Sequence, residues 1–591
     1  MKWLAPVLLG VCWLLVAAGP WLLLDHQQHL HRTDEREALW PLYTLLTGVF
    51  WGLLVGLLCW KDRGEGAVTS VRWERGRWVL AGAVGLAGLL FVQHEVRAFA
   101  RTVWFSPISP VEGDMLPLIQ SALRDFWRDG VYPYRLHEVA AWELPLTFTP
   151  GLWLPYSLPW LAGVDIRFVG AAAAAAAGLA CIGWAAWRIA EAGSAREVVA
   201  AVPVLFLPAA MLSLEYFDDF LSASHLVVYW AVAVFAAMAV RLRLHATSGL
   251  LLGWLVIARV YMVLLFPFVG LYAWRLWRED RRAAVRLLVC FAAPGVLLAV
   301  PFFLWDPAWY TRGFLAGYGE QLSWHIEQTP YFVHGLGWTG LLGKLDAAGA
   351  GTGLGLVLQV PLWVHAWRRL RTERDLLLYG AAGLVVFLSF SMVPWFYIYG
   401  ALLVFLAFAP PAVVAGGAPP VLSRRAAHLV VAGTAAAAVL LMAVVMLWAR
   451  GRDVRYGEFP ADADSALYFE ARRTLWGFDY HAWVSNSEDD WRLVTGQDAF
   501  VAMPVRDVAA GRVVIALRGT EPAAQAHVHI NNEYAGTHQL PEGEGGVVSL
   551  PVPEGNLFRG GNLLRVRLED PAGEVVTGWE LGAVRLDSSV E

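Results

Sequence analysis

Long apolar segments, separated by short clusters of arginine and lysine, constrain the fold of this chain more than any other feature. A helix needs about 20 residues to cross a bilayer. The candidate segments are 3–24, 40–60, 77–98, 166–187, 198–214, 222–240, 248–274, 284–304, 351–367, 375–393, 396–415 and 427–449. Only 16% of the 591 residues are charged, against roughly a quarter in soluble proteins. The sequence therefore predicts a polytopic α-helical membrane protein with about 12–13 spans.

The basic clusters predict the orientation of the spans. They lie at 61–77, 241–243, 275–286, 368–374 and 424–425. Because cytoplasmic loops carry an excess of Lys and Arg, these clusters are placed in the cytoplasm. The loops at 101–145, 215–221, 305–350 and 393–396, and everything after residue 450, then lie outside. The protein is expected in a bacterial inner or cell membrane, with its C-terminal part extracytoplasmic.

Two segments do not fit a simple alternation of inward and outward spans. Segment 248–274 is flanked by basic clusters on both sides, so it must leave the cytoplasm and return to it. We interpret it as two short half-spans that meet near Ala258-Arg259-Val260. Segment 143–163 is then re-entrant or interfacial, unless 188–197 is external, and the sequence leaves both alternatives open.

The composition changes after Arg450 and predicts a separate domain. Alternating apolar and polar runs are separated by Gly, Pro and Asn, which is typical of an antiparallel β-sandwich. The expected strands are 498–505, 511–519, 526–532, 546–552, 562–570 and 579–587. We therefore divide the chain into an N-terminal hairpin with a basic loop (1–76), a membrane domain (77–450) and a sandwich domain (451–591).

A long polar insert in the membrane domain, residues 106–151, carries the first candidate chemistry. Glu112 and Asp114 precede a predicted helix, Met115 to Arg128, whose apolar stripe is expected to lie in the plane of the membrane surface. Asp114 could simply cap this helix. Alternatively, Asp114 or Glu112 could act as a general base that takes a proton from a weakly nucleophilic sugar hydroxyl.

The insert resembles a known enzyme superfamily. The stretches EGD, DGVYPY and LPLTFTPGLWLPYSLPW are similar to the first external loop of GT-C membrane glycosyltransferases. The nearest likeness is to polyprenyl-phosphate-sugar-dependent enzymes such as the actinobacterial polyprenol-phosphate-mannose-dependent mannosyltransferases. The resemblance implies that Asp114 is the catalytic base, with Glu112 in reserve. It also makes Tyr132, Tyr134 and Glu143 candidates for substrate contact.

Later segments extend this resemblance. HATSGLLLGWLVIARVYMVLLFPFVGLYAWR (245–275) is similar to a family segment in which a Lys is common at the position of Arg259. That residue could bind the donor phosphate or form an intramembrane salt bridge with Asp218 or Asp219. Asp218 and Asp219 are also candidates for substrate contact. In SFSMVPWFYIYG, Trp395 and Tyr397 could contact lipid or sugar, or could anchor the helix at the membrane surface.

The sandwich domain resembles jelly-roll, galactose-binding-like modules. Its stretch VHINNEYAGTHQLPEGEGGVVSLPVPEGNLFRGGNLLRVRLEDP follows their order of strands and turns. Tyr534, Trp579 or Trp491 could then form an aromatic platform for a glycan. The alternative is that these aromatic residues belong to the core of a structural or partner-binding domain.

Taken together, these features predict a glycosyltransferase that moves a sugar from a polyprenyl-phosphate donor to a glycan, lipid or protein acceptor. No nucleotide-binding, zinc or nucleic-acid motif is present. No cofactor is required by the resemblance, and a divalent metal is compatible with it but not indicated. Two other functions are considered: a transporter or lipid-handling protein, and an assembly protein in which the sandwich domain does the work.

Overall fold

A computed structural model gives the fold of part of the chain. The residues that it describes are 74–105, 108, 115–139, 142–163, 165–192, 198, 201–205, 207–208, 225–313, 350–390, 400–409, 467–468, 481–482, 492–494, 498–505, 511–518, 524–531, 533–540, 546–552, 560–576 and 578–587. The predicted spans 3–24, 40–60 and 427–449 lie outside these residues.

The membrane domain is largely helical. Its helices are α1 Glu74–Phe105, α2 Met115–Leu123, α3 Pro150–Trp153, α4 Ser157–Leu161, α5 Phe168–Glu191, α6 Leu226–Arg241, α7 His245–Ala258, α8 Phe266–Glu279, α9 Arg281–Pro294, α10 Val300–Trp305, α11 Pro307–Thr311, α12 Ala350–Val357, α13 Gln359–Arg369, α14 Glu373–Leu388 and α15 Gly400–Phe408. Short 3-10 or π-helical turns occupy Arg124–Asp129, Leu154–Tyr156, Val260–Leu265 and Gly295–Ala299.

Four helical stretches are long and apolar enough to cross a membrane. They are Gly76–Glu95, Phe168–Glu191, Val260–Glu279 and Arg281–Trp305. The apolar helices α6 and α7 are shorter. These stretches support the prediction of a membrane protein, and they coincide with predicted segments near 77–98, 166–187 and 284–304.

The basic residues of several helices gather at one end of the bundle, here called the basic end. At the start of α1, Arg77 Nη1 donates to the carbonyl of Ala192, just after α5, at 3.1 Å. Arg243, which follows α6, lies 2.9 Å from Glu373 at the start of α14. Residue 192 therefore lies at the same end as these basic residues. Within 143–163, helical structure runs only from Pro150 to Leu161, through α3, the 3-10 turn and α4, and this stretch is not among the helices long and apolar enough to cross a membrane.

The predicted break in segment 248–274 is observed at Arg259. That residue has extended backbone angles (φ −143°, ψ 127°) between α7 and the 3-10 turn. A Cβ added to Gly249 would lie 2.2 Å from the Leu287 carbonyl oxygen, and one added to Gly253 would lie 2.1 Å from that of Phe291. Moving from Gly249 to Gly253 along α7 therefore corresponds to moving from Leu287 to Phe291 along α9, so α7 runs parallel to α9.

Helix α8 runs in the opposite direction to α7. Only Asp280 separates α8 from α9, and the rings of Phe266 and Phe291 lie 5.0 Å apart, so α8 and α9 are antiparallel. The chain therefore reverses direction around Arg259, as predicted, but the stretch after the break, Val260–Glu279, is by itself long enough to cross a membrane.

The prediction that the helix after Asp114 lies in the membrane surface is wrong. Every residue of α2 from Leu116 to Leu123 is buried, including Gln120 and Ser121. Other parts of the chain cover the polar side of α2. In the turn that follows α2, Asp125 is buried beneath Arg135 and His137. His137 belongs to the hairpin formed by β1 Leu136–Val139 and β2 Trp142–Pro145.

The C-terminal domain contains two sheets. Its strands are β3 Leu467–Tyr468, β4 His481–Ala482, β5 Arg492–Val494, β6 Asp498–Val505, β7 Arg512–Arg518, β8 Ala524–Ile530, β9 Glu533–Leu540, β10 Gly546–Pro551, β11 Gly560–Glu569 and β12 Trp579–Asp587. One sheet has the order β10-β7-β12-β5, and the other has the order β3-β6-β11-β8-β9 with β4 beside β6.

The two sheets share one apolar core, as the predicted sandwich requires. Val501 and Val566 of one sheet belong to the same buried cluster as Ile515 and Trp579 of the other. Neighbouring strands in the described part of this domain are antiparallel except β4 and β6. Trp579 is fully buried, so the suggestion that it forms a glycan platform is wrong.

The sandwich domain contacts the membrane domain. Arg128 forms two hydrogen bonds to the Glu533 carboxylate, at 2.7 and 3.0 Å, and Arg124 lies 3.4 Å from it. Helix α1 also contacts β11. The hairpin of β8 and β9 is therefore held against the turn that continues α2.

Candidate functional site

The centre of the candidate site is Arg259, at the break between α7 and the 3-10 turn that leads into α8. Its amide donates to the Leu255 carbonyl at 3.1 Å and its carbonyl accepts from the Met262 amide at 2.9 Å. Only 7% of the residue is exposed. A cation next to the carbonyls that end a helix is favoured by the helix dipole. Broken helices of this kind place polar groups in the interior of membrane proteins.

The guanidinium of Arg259 contacts two aromatic side chains. Nη2 lies 2.5 Å from His225 Nε2, and Cζ lies 5.7 Å from the centre of the Phe148 ring. The Phe148 and His225 rings are themselves in contact, with centroids 4.4 Å apart. Since a guanidinium only donates, His225 Nε2 accepts and His225 is neutral. Both of these groups therefore orient Arg259 without carrying a negative charge.

Phe148 reaches Arg259 because its segment packs against the end of α7. The indole nitrogen of Trp254 donates to the Gly151 carbonyl at 2.8 Å. A Cβ on Gly151 would lie 2.8 Å from both the side chain and the carbonyl oxygen of Ile257, so only glycine allows this approach. Pro150 begins α3 immediately before it. The Thr-Phe-Thr-Pro-Gly stretch that resembled the family motif therefore meets the helix break in space.

Two buried hydrogen-bond donors lie around Arg259. Nδ1 of the neutral His225 must carry the ring proton, and it has no hydrogen-bond partner among the described residues. The Tyr156 hydroxyl is buried and likewise has no hydrogen-bond partner in the described part of the chain, and it interacts electrostatically with Arg259. Burial raises the pKa of this hydroxyl, an effect that Arg259 opposes, so the group keeps its proton. Buried donors of this kind call for an acceptor.

A pair of tyrosine hydroxyls lies beside these donors. Tyr229 and Tyr261 are hydrogen-bonded to each other at 3.1 Å. Tyr229 follows His225 by one helical turn, and Tyr261 follows Arg259 by two residues, so both come from the elements that carry the site. The surroundings of Arg259 thus combine a buried cation with several neutral hydroxyl and imidazole groups.

The tyrosines predicted to contact substrate make contacts within the protein, and their contact with a substrate stays a prediction. Tyr134 is buried, and its hydroxyl accepts from Trp153 Nε1 at 3.2 Å. Tyr132 is half-buried, and its hydroxyl donates to the carbonyls of Phe302 and Asp306 at 3.0 and 3.1 Å. Burial raises the pKa of Tyr132, so this hydroxyl remains a donor. The Tyr-Pro-Tyr turn connects the segment after α2 to the end of α10.

An acid that sequence reasoning did not single out fixes the rest of this loop. Asp125 is buried and accepts two bonds from Arg135, at 2.5 and 2.7 Å. His137 Nδ1 lies 3.5 Å from the same carboxylate, while its Nε2 lies 2.7 Å from the Pro133 carbonyl. Burial lowers the pKa of His137. The pattern Asp-x9-Arg-x-His carries no familiar motif, which is why it was missed.

Several predicted site residues lie outside the described residues. These are Glu112, Asp114, Asp218, Asp219, Trp395, Tyr397 and Trp491. The backbone of Glu143 lies in β2, paired with Glu138 of β1. Met115, which directly follows Asp114, packs against the main core of the membrane domain. Within the described ranges no cluster of three or more His, Cys, Asp or Glu could hold a metal ion.

His225, Phe148 and Tyr156 are the residues that the structure adds to the site. A histidine at the start of an apolar span, directly preceding Leu226, was the available signal for His225.

Comparisons with known proteins give no relative: no family model and no curated protein matches this chain.

Proposed function

We propose that this chain transfers a sugar from a polyprenyl-phosphate donor to an acceptor hydroxyl at the outer face of the membrane. Arg259 binds the donor phosphate, and Asp114 takes the proton of the acceptor. The observation that supports this proposal is the buried Arg259 guanidinium with the donors His225 Nδ1 and Tyr156 Oη near it. A phosphate offers acceptor oxygens to all three, and its bonds to a guanidinium are charge-assisted.

The roles follow from the bonds that change. The acceptor oxygen forms a bond to the anomeric carbon of the sugar as its proton passes to the carboxylate. The bond between that carbon and the phosphate oxygen breaks, and its electron pair stays on the lipid phosphate. Negative charge therefore grows next to Arg259, where preorganised donors stabilise it. Because lipid phosphate is the leaving group, no nucleotide pocket is needed.

The test uses the full-length protein in membranes supplied with a labelled polyprenyl-phosphate sugar. Asp114→Asn and Arg259→Ala are each expected to reduce transfer by at least about a hundredfold. Arg259→Lys should retain part of the activity because it keeps the charge but loses the planar fork. Full transfer by a folded Asp114→Asn or Arg259→Ala protein would remove the proposal.

The alternative role of Arg259, a salt bridge to Asp218 or Asp219, is tested in the same assay. If that pair holds the fold, Asp218→Asn with Asp219→Asn should destabilise the protein as much as Arg259→Ala does. If Arg259 binds the phosphate, the double variant remains folded, and loss of donor binding is confined to the Arg259 variants.

A second candidate function is retention of a glycan by the sandwich domain. The observation that favours it is Tyr534, which is 52% exposed and lies in ring contact with His529 at 5.4 Å and His527 at 6.5 Å. Exposed aromatic faces bordered by polar groups suit sugars, because one ring offers an apolar surface beside hydrogen-bonding groups. Tyr534→Ala should weaken binding of acceptor glycan without changing donor binding. Unchanged glycan binding would exclude this candidate.

A further inference from the structure

We propose that the groove between α8 and α13 binds one anionic phospholipid, with its headgroup at the basic end of the bundle. The cavity has a volume of about 770 Å³, which lies within the range of small-molecule sites. Each helix contributes four residues to its walls, among them Gly270, Leu271 and Trp274 of α8 and Val364, Trp367 and Arg368 of α13. This inference is independent of the proposed sugar transfer.

The groove is apolar at one end and basic at the other. The helices α8 and α13 run in the same direction, so their starts lie together and their ends lie together. Near the starts of the two helices, Phe268 and Gln359 both lie against Gly383 of α14, where an added Cβ would be 2.7 and 3.3 Å from them. Near their ends, Arg275 Nη2 donates to the Trp367 carbonyl at 2.5 Å. Tyr272 of α8 donates to Glu373, which Arg243 also contacts, so the groove leads from apolar walls to the basic end.

The basic end of the groove is equipped for an anionic headgroup. Arg368 lines it directly. The guanidinium of Arg278 lies 5.1 Å from the Trp274 ring, and Arg275 is fixed by its bond to Trp367. Trp274 and Trp367 are 49% and 57% exposed, as expected for indoles at the level of lipid headgroups. Basic pockets between membrane helices on the cytoplasmic side recognise anionic lipid headgroups.

The two halves together match a phospholipid better than a detached anion or an apolar chain alone. An acyl chain fits the walls formed by Leu271 and Val364, while a phosphate fits the arginines one to two turns further on. A free phosphate would leave the apolar part unfilled, and a zwitterionic lipid would place its own ammonium group beside the phosphate, which weakens the net attraction to the arginines.

Two kinds of variant test the groove with little disturbance of the fold: one fills it, and the other removes its positive charges. A Cβ added to Gly270 meets no atom within 4 Å, and the same is true of Gly183 on α5. Gly270→Leu should therefore occupy the groove, with Gly183→Leu as its matched control. Arg278→Gln combined with Arg368→Gln removes two charges. Arg312→Gln is the control, because Arg312 lies 5.1 Å from the Trp309 ring away from the groove.

The experiment is native mass spectrometry of the purified full-length protein titrated with phosphatidylglycerol or phosphatidylcholine. The wild-type protein should retain one phosphatidylglycerol under conditions that remove phosphatidylcholine. Gly270→Leu and the double arginine variant should reduce the retained fraction by about tenfold, whereas both controls should keep it. Equal retention of the two lipids, unchanged retention in the groove variants, or preference for polyprenyl phosphate over phosphatidylglycerol would each overturn the proposal.

Discussion

Two of the buried arginine sites in the described part of the protein, one in each domain, differ in the groups that surround the guanidinium. In the sandwich domain, Asp498 is fully buried and accepts from Arg565 at 2.9 Å and from Arg567 at 2.9 and 3.0 Å. In the membrane domain, Arg259 donates to a neutral imidazole and lies over a phenyl ring. The first site surrounds a carboxylate from within the fold, whereas the contacts described for Arg259 include a neutral acceptor and an aromatic face.

This difference suggests what each arginine is for. A buried guanidinium and carboxylate compensate each other's loss of hydration, and such a pair is costly to break. An arginine oriented by a neutral acceptor keeps more of its attraction for an incoming anion. Arg167, which donates to Asp165 at 2.7 to 3.2 Å, is a further example of the first kind and lies in the membrane domain itself. The contrast is therefore one of role rather than of location.

The largest loss of stability is expected when the buried carboxylate of Asp498 is removed. Asp498→Asn leaves Arg565 and Arg567 facing a neutral amide in a buried position, which should lower the free energy of unfolding of the sandwich domain by about 3–5 kcal/mol. Thermal unfolding of the purified full-length protein measures this change. The matched control is Glu580→Gln, which breaks the more exposed pair with Arg518 and should cost less than about 1 kcal/mol. Equal effects of the two variants would contradict the comparison.

The next effect is expected when the Arg259 site is given a carboxylate of its own. His225→Asp places a negative charge where the neutral imidazole now accepts, so Arg259 should become an internal pair like Arg565 and Asp498. Donor binding and transfer should fall by about a hundredfold, or about 2.7 kcal/mol, while thermal stability is kept. His225→Gln retains a neutral acceptor and should lose far less. An aspartate variant that binds the donor normally would show that the neutral partner is not needed.

Acid provides a third test, directed at the Asp498 site. His529 lies opposite Arg565 in the pairing of β8 with β11. Burial, with Arg565 nearby, lowers the pKa of His529 to about 3, whereas an unfolded histidine titrates near 6.5. Stability is therefore present above about pH 6.5 and is lost as the pH falls from there towards 3. At pH 5 the loss from this one group is about 2 kcal/mol.

The measurement is the melting temperature of the full-length protein at pH 7.5 and pH 5. His529→Gln should reduce the difference between the two values, because its side chain does not titrate. The control is His538→Gln on β9, a strand position that is only half-buried, and this variant should keep the wild-type difference. If His529→Gln leaves the acid sensitivity unchanged, the low pKa is not responsible for it.

The sequence predicted the regular parts of the fold well. The strands 498–505 and 579–587 were predicted with the bounds that the structure gives, because apolar and polar residues alternate there. Strand β9 was missed, since Leu540 is its only buried residue and Gly536 interrupts it, so no alternation of apolar and polar residues marks it. The break at Arg259 was predicted because basic residues on both sides of a single long apolar segment require the chain to return.

The candidate site was predicted only in part, because most of it depends on contacts between distant segments. Arg259 was identified as a charge in an apolar run, a signal that is visible locally. Phe148 and His225 approach it from segments 111 and 34 residues away. Phe148 lies in the stretch that resembled the family motif, but no local signal relates either residue to Arg259. Tyr134 was predicted to contact substrate, yet its partners Trp153 and Phe302 place it in the core. Polar and aromatic residues of a loop can serve either purpose, and only packing distinguishes them.

The smallest effect is expected at the contact between the two domains that carry these sites. Arg128 and Glu533 are partly exposed, at 37% and 17% of their side chains, so their pair should contribute up to about 1 kcal/mol. Arg128→Glu and Glu533→Arg should each speed hydrogen exchange in the turn Arg124–Asp129 by up to about fivefold. The double variant should restore slow hydrogen exchange, because the two opposite charges still face each other after they are swapped. The recovery will be incomplete, because Arg124 will then face a positive charge at position 533. Arg518→Glu, within the sandwich domain, should leave this turn unchanged. If the double variant exchanges faster than both single variants, the two domains are held together by other contacts, and the Asp498 and Arg259 sites can be altered independently of this pair.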